Sequence, residues 1–251
     1  GDGYSECALD CDDGDESAHP QAIEICGDGV DQDCDGAADA GPPCNGMGTF
    51  VSQKLGTVGA SGTIDDPVAT IGEGIERALA IGIPTAVLVS AGDYTEAVTV
   101  QGNISLVGGY DPGNWAVREP ATYTTTIKNT SHEGLQILGA AEAMLVTGFT
   151  IEGRQVNTGS KSTVAVTIDS GSPTLLGNTI EAGPVTSGTG QSVGVRIVAP
   201  QIDRRNPQAV VARLDARSVG PVAHAVHVGS RRGGLAVANI NLDHQPQLLG
   251  I

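Results

Sequence analysis

The sequence predicts a mostly β protein: a right-handed parallel β-helix with an N-terminal capping helix, preceded by a small irregular module of acidic loops and cysteines. Three observations predict this. Short β-rich runs recur with a period near thirty residues from about residue 134 onward. One amphipathic helical pattern, about residues 70–81, stands ahead of them. Residues 1–44 hold 13 of the 29 Asp and Glu, none of the 13 Lys and Arg, and all five cysteines. The predicted division is therefore a module over 1–44 and a β-helix over 45–251.

The formal net charge of −16 follows the same division. Residues 1–44 carry −13, residues 45–200 carry −6 and residues 201–251 carry +3. A nucleic-acid partner needs a basic face that this balance does not provide. No run of about 18 apolar residues is present, so no membrane-spanning helix is expected. The start, Gly1-Asp2-Gly3-Tyr4, has no Met and no signal peptide, and the end stops on Leu248-Leu249-Gly250-Ile251. We read the chain as a piece of a longer, mature secreted or surface protein.

The acidic module is predicted to bind metal. Asp31-Gln32-Asp33-Cys34-Asp35-Gly36 follows D-x-D-x-D-G, with Asp39 three residues later. Alternate carboxylates in a tight loop converge on one hard cation, and glycine permits the sharp turn. Position 12 of that loop is Pro42 rather than Glu, so it is not an EF-hand. Asp10-Cys11-Asp12-Asp13-Gly14-Asp15 forms a second cluster, and Asp2-Gly3 has the look of a third loop's tail. Oxygen ligands suit Ca²⁺ better than a soft transition metal. A segment this acidic cannot build an apolar core, so metal or disulfides must order it.

Cys7, Cys11, Cys26, Cys34 and Cys44 contain no C-x-x-C pair, which disfavours a zinc knuckle. Cysteines among calcium loops read as disulfides, hence an oxidising compartment. Connectivity does not follow from sequence; Cys11–Cys26 is the pairing we expect first. Five is odd, so one thiol is free or pairs upstream.

Cys11-Asp12-Asp13-Gly14-Asp15, Pro20-Gln21-Ala22-Ile23-Glu24-Ile25-Cys26 and Asp28-Gly29-Val30-Asp31-Gln32-Asp33-Cys34-Asp35-Gly36 resemble a bacterial metal-binding repeat. That repeat is named after a copper-binding surface protein of methane-oxidising bacteria. Its loops also look like thrombospondin type 3 calcium repeats. The resemblance covers about residues 1–40 and implies a secreted or surface location. It adds Asp28 to the candidate ligands and raises copper as an alternative ion, with His19 the one imidazole in the segment.

The helix is delimited by its ends. Thr70 and Glu73 form a T-x-x-E capping box, and Gly82 is a plausible C′ residue. Ile71, Ile75 and Leu79 recur at four-residue spacing and predict the apolar face. Gly72 and Gly74 weaken the helix, so docking must hold it. Asp65-Asp66 sits at its entrance, where capping accounts for it.

Short strands are predicted at 86–89, 97–100 and 104–107. Ile137, Ile168, Ile197 and Val228 then recur at steps of 31, 29 and 31. A second series places Ile180 29 residues after Ile151 and sets Asn239 as the equivalent of Asn178. Helical repeats need amphipathic helices, which this stretch lacks; stacked β coils fit instead. Alternation in Val164-Ala165-Val166-Thr167-Ile168 predicts three residues inward and two outward. Asn178 is expected at a bend, where Asn tolerates positive φ. Residues 53–110, through Gly59-Ala60-Ser61-Gly62-Thr63-Ile64-Asp65-Asp66-Pro67, Thr70-Ile71, Gly92-Asp93-Tyr94-Thr95-Glu96 and Leu106-Val107-Gly108-Gly109-Tyr110, resemble the start of a pectin-lyase-like domain. The match extends over about 50–200 and implies the fold. Residues 201–251 fit the period less well.

Polysaccharide cleavage on such a fold needs clustered carboxylates, or a calcium site beside an Arg base, on the outer face of neighbouring rungs. Glu152 and Glu181 are 29 apart, with Arg154 nearby, and are the catalytic candidates; two solvated surface acids are the competing reading. No lyase or hydrolase motif appears. Gly190-Gln191-Ser192-Val193-Gly194 lacks the strand-to-helix turn of a nucleophile elbow. His224 and His227 point to opposite faces of a strand-like run. We expect a non-enzymatic display or stalk domain, with a surface polysaccharide or another surface protein as partner. A polysaccharide-active enzyme or carbohydrate-binding domain is the rival.

Overall fold

The computed structural model describes residues 11–12, 18, 24–25, 29–38, 44, 48–81, 85–140, 144–156, 162–171, 173–186, 192–199, 210–216, 226–230 and 236–241. The elements begin with β1 (Thr49–Val51), α1 (Ile71–Ile81), β2 (Thr85–Ser90), β3 (Gly92–Glu96), β4 (Thr99–Gln101), β5 (Ile104–Asp111) and β6 (Asn114–Arg118). They continue with β7 (Thr125–Asn129), β8 (Leu135–Ala140), β9 (Leu145–Thr147), β10 (Phe149–Glu152), β11 (Thr163–Gly171) and β12 (Thr174–Glu181). The last four are β13 (Ser192–Ala199), β14 (Val210–Ala216), β15 (Val226–Ser230) and β16 (Ala236–Asn241). The chain is mostly β with one helix among the described residues. Contacts divide it into two units: Gly1–Tyr94 with Asn103–Thr126 and Ala143–Leu145, and Thr95–Gly102 with Ile127–Glu142 and Val146–Ile251.

In the first unit, β1, β2 and β5 form a parallel ladder, with Phe50 beside Leu88 and Leu88 beside Val107. All six residues of β2 are buried, because both faces of that strand are covered. β6 folds back antiparallel on β5, the exception among the ladders of the described residues. Thr70 caps α1: its Oγ1 accepts from Glu73 N and donates to Glu73 Oε2, both at 3.2 Å. The other Glu73 oxygen accepts from Gly59 N at 2.9 Å, tying the preceding loop to the helix.

The buried face of α1 is Ile71, Gly74, Ile75 and Ala78. Leu79, predicted on that face, is 45% exposed. At 100° per residue, position 78 returns closer to the line of Ile71 than position 79 does, so alanine takes the place expected of leucine. Gly74 is the docking point. A Cβ there would lie 2.5 Å from Val51 Cγ2 and 2.8 Å from Val87 Cγ1. The glycine that weakens the isolated helix thus lets it approach β1 and β2. Gly82 lies outside the described residues. Asp66 does not cap the helix; its Oδ2 accepts from Ser61 N and Ser61 Oγ, each at 2.9 Å, and closes the turn before it.

In the second unit, β4, β8, β11, β13 and β15 form one parallel sheet. Its register runs Val100, Ile137, Ile168, Ile197, Val228, the predicted series with one rung added at the front. Ile137, Ile168 and Ile197 are fully buried. β10, β12, β14 and β16 form a second parallel run, with Ile151 beside Ile180. Burying each such side chain stabilises the fold by about 1.5–3 kcal/mol, so the stacked column dominates local stability.

Three details depart from expectation. Ala165 and Thr167 are buried along with Val164, Val166 and Ile168, because the 129–134 segment covers them. Thr167 Oγ1 donates to Glu133 O at 2.6 Å, and a Cβ on Gly134 would meet Ala165 O at 2.1 Å. At the bend, positive φ belongs to Gly177, at 60°, while Asn178 serves as a brace. Asn178 Oδ1 accepts from Phe149 N at 3.0 Å, and its Nδ2 donates to Val146 O at 2.7 Å. Asn239 is not its equivalent: a register shift between Leu175 and Asn178 sets Asn178 beside Ala216, and Asn239 pairs with Arg213.

Candidate metal centre

The acidic loop is shaped by residues that accept the left-handed region. Gly29, Cys34 and Gly36 have φ of 75°, 59° and 94°. The turn this makes aims backbone N–H groups at the loop's own carboxylates. Asp35 N donates to Asp31 Oδ1 at 3.2 Å and to Asp33 Oδ1 at 3.1 Å, while Gly36 N donates to Asp31 Oδ2 at 2.8 Å. Asp35 Oδ1 accepts from Ala37 N at 2.9 Å, so this carboxylate closes the end of the loop.

A second strand of chain supports it. Glu24 Oε1 accepts from Gln32 N at 2.8 Å and from Asp33 N at 3.1 Å. Gln32 Oε1 accepts in return from Ile25 N at 2.9 Å. Glu24 and Gln32 are each 1% exposed, so paired polar groups are buried here beside Ile25.

One carboxylate oxygen from each of Glu24, Asp31 and Asp33 lies within 4.8 Å of the others. Oxygens on opposite sides of one Ca²⁺ ion stand about 4.6–5.2 Å apart, twice the usual bond length. The trio therefore fits around a single hard cation, and its donors are all oxygen. The Asp33 carboxyl is pushed above the usual range, first by burial and then by the charges of Asp35 and Asp31, against the lowering effect of the Asp35 N–H. Crowded carboxylates of this kind are stabilised when a cation joins them.

Of the predicted ligands, the loop brings Asp31 and Asp33 together. Asp35 is turned to the backbone, and exposed Asp12 is outside the trio. Asp2, Asp10, Asp13, Asp15, Asp28 and Asp39 lie outside the described residues, as do Cys7, Cys26 and His19. Glu24 was not among the predicted ligands. Its signal was an acid between Ile23 and Ile25, a charge placed where the neighbours favour burial.

The expected Cys11–Cys26 pair is replaced by Cys11–Cys34, with an S–S distance of 2.02 Å and Cα atoms 5.6 Å apart. The left-handed turn at Cys34 directs its side chain back to Cys11, whose N donates to Cys34 Sγ at 3.1 Å. Cys44 is also disulfide-bonded.

The catalytic candidates are placed differently. Glu152 stands directly beside Glu181 in register, as predicted. Arg154 does not bridge them; its Nη1 donates to Thr130 O at 3.0 Å. Ser192 opens β13 and donates its hydroxyl to Gly183 O at 2.6 Å, which holds a turn. His227 sits in the β15 ladder beside Arg196, and His224 lies outside the described residues.

Comparison with known families supports a metal site in this segment. Residues 10–40 match the Cu-binding MopE family, described as a putative metal-binding motif. No curated protein and no solved structure matches the chain. No helix among the described residues is long and apolar enough to cross a membrane.

Proposed function

We propose that this chain is a secreted or cell-surface bacterial protein in which residues 1–44 form a calcium-binding, disulfide-stapled module. Residues 45–251 would form a right-handed, pectin-lyase-like β-helix that displays or supports a ligand surface. The observation that carries the metal reading is the convergence of Glu24, Asp31 and Asp33 within 4.8 Å, inside the matched motif. The all-oxygen donor set favours calcium over copper. The Cys11–Cys34 disulfide fits an oxidising compartment. Parallel ladders with buried, in-register isoleucines support the coil reading. The partner is a surface polysaccharide or another surface protein, held by the coil faces rather than cleaved.

Calcium and copper(II) titrations of the oxidised full chain, followed by native mass spectrometry, test the metal reading. Stoichiometric calcium uptake is expected, in the range of extracellular modules, about 10⁻⁴ to 10⁻³ M. Uptake of copper with no uptake of calcium would replace calcium with the alternative ion.

A further inference from the structure

We propose that the Cys11–Cys34 disulfide and the metal site are thermodynamically coupled, so that a thiol reductant weakens ion binding and a bound ion protects the disulfide. The inference rests on the metal reading above and adds a means of regulation to it.

Cys34 is not a remote staple. It stands between Asp33, a member of the carboxylate trio, and Asp35, whose N–H serves both Asp31 and Asp33. Its φ of 59° is uncommon for a residue with a side chain. The covalent bond to Cys11 and the Cys11 N–H to its sulfur both hold it there. Cys11 Sγ also lies 3.3 Å from Asp31 O, so the bridge touches the first residue of the loop. Without the bond, Cys34 can leave the left-handed region. The peptide plane that presents Asp35 N to the two aspartates turns with it. The trio then loses the geometry that brings its oxygens within reach of one ion.

Access is available, since Cys11 is exposed and Cys34 is half-buried. With a dithiol as reductant, a thiolate attacks one sulfur of the bridge and the S–S bond breaks. The dithiol then closes to a cyclic disulfide. Two electrons and two protons end on Cys11 and Cys34. Coupling free energies are reciprocal: whatever factor reduction removes from ion affinity, ion binding removes from reducibility.

The test uses the full chain. Calcium affinity is measured for the oxidised protein and for the Cys11→Ser/Cys34→Ser double variant, which leaves the Cys44 bridge in place. Separately, the midpoint for reduction of the native Cys11–Cys34 bond is read by alkylation and mass spectrometry in a dithiol redox buffer, with and without calcium. We expect an affinity loss of about tenfold. The matching shift of the midpoint is about 30 mV to lower potential with calcium present. The second readout needs no variant, so a folding defect in the double variant does not remove the test. Equal midpoints with and without saturating calcium would overturn the coupling while leaving the metal site standing. No calcium binding by the oxidised chain would overturn the metal site and the coupling together.

Discussion

The acidic loop and the isoleucine ladder solve the same problem, ordering a short stretch of chain, by opposite means. In the ladder, Ile137, Ile168 and Ile197 stand in register and are fully buried, and stacking of like on like defines each rung. In the acidic segment, polar Glu24 and Gln32 are buried beside Ala18 and Ile25, and much of the order comes from N–H groups aimed at carboxylates and from a disulfide. The ladder contains its own driving force. The loop gathers negative charge that repels itself, a repulsion that a bound cation would offset. Substitutions should therefore separate the two, with ladder changes altering stability and loop changes altering ion binding.

The largest effect is expected at Ile168. Replacing Ile168 with Ala removes a fully buried side chain between two others and should cost about 2–5 kcal/mol in chemical unfolding. Calcium affinity should stay at the parent value. A Gly74→Ala change should come next. Helix propensity favours Ala by about 1 kcal/mol, yet the new methyl meets Val51 and Val87 side chains at 2.5 and 2.8 Å. Overpacking of this kind costs about 1–3 kcal/mol, so the net result should be a lower melting temperature.

In the loop, Glu24→Gln should weaken calcium binding at least about tenfold, a change of 1.4 kcal/mol, while the thermal transition of the β region stays in place. Glu181→Gln relieves like charges facing each other on β10 and β12 and should raise stability by about 0.2–1 kcal/mol. A fall in stability with this variant would mean that the pair is bridged by a cation.

The smallest effect concerns acid. The Ser61 N–H and hydroxyl hold the Asp66 carboxyl below its ordinary value of 3.8. A depressed carboxylate contributes stability above the unfolded value, and the contribution is lost as pH falls through the folded one. Parent and Asp66→Asn melts should thus differ above pH 3.8 and converge below it.

The ladder anchors were legible because a period near thirty survives in the residues themselves. The rung at Val100 was not, because it stands 37 residues before Ile137, with the β5–β6 hairpin inserted between them in sequence. β14 was hidden for a related reason: the register shift after Leu175 breaks the equal spacing on which repeat reading depends. In the loop, alternate aspartates disclosed Asp31 and Asp33. Glu24 reaches the same point from another part of the chain, and no local spacing encodes that meeting. Disulfide pairing was equally hidden, since it depends on which way the left-handed turn at Cys34 faces.

The most direct test of the central claim is calorimetric titration of calcium into the oxidised full chain, run beside Glu24→Gln and Asp33→Asn. A saturable heat is expected for the parent protein and a marked loss of affinity in both variants, with the β-region melt unchanged. No heat in the parent, or equal binding by all three proteins, would contradict it.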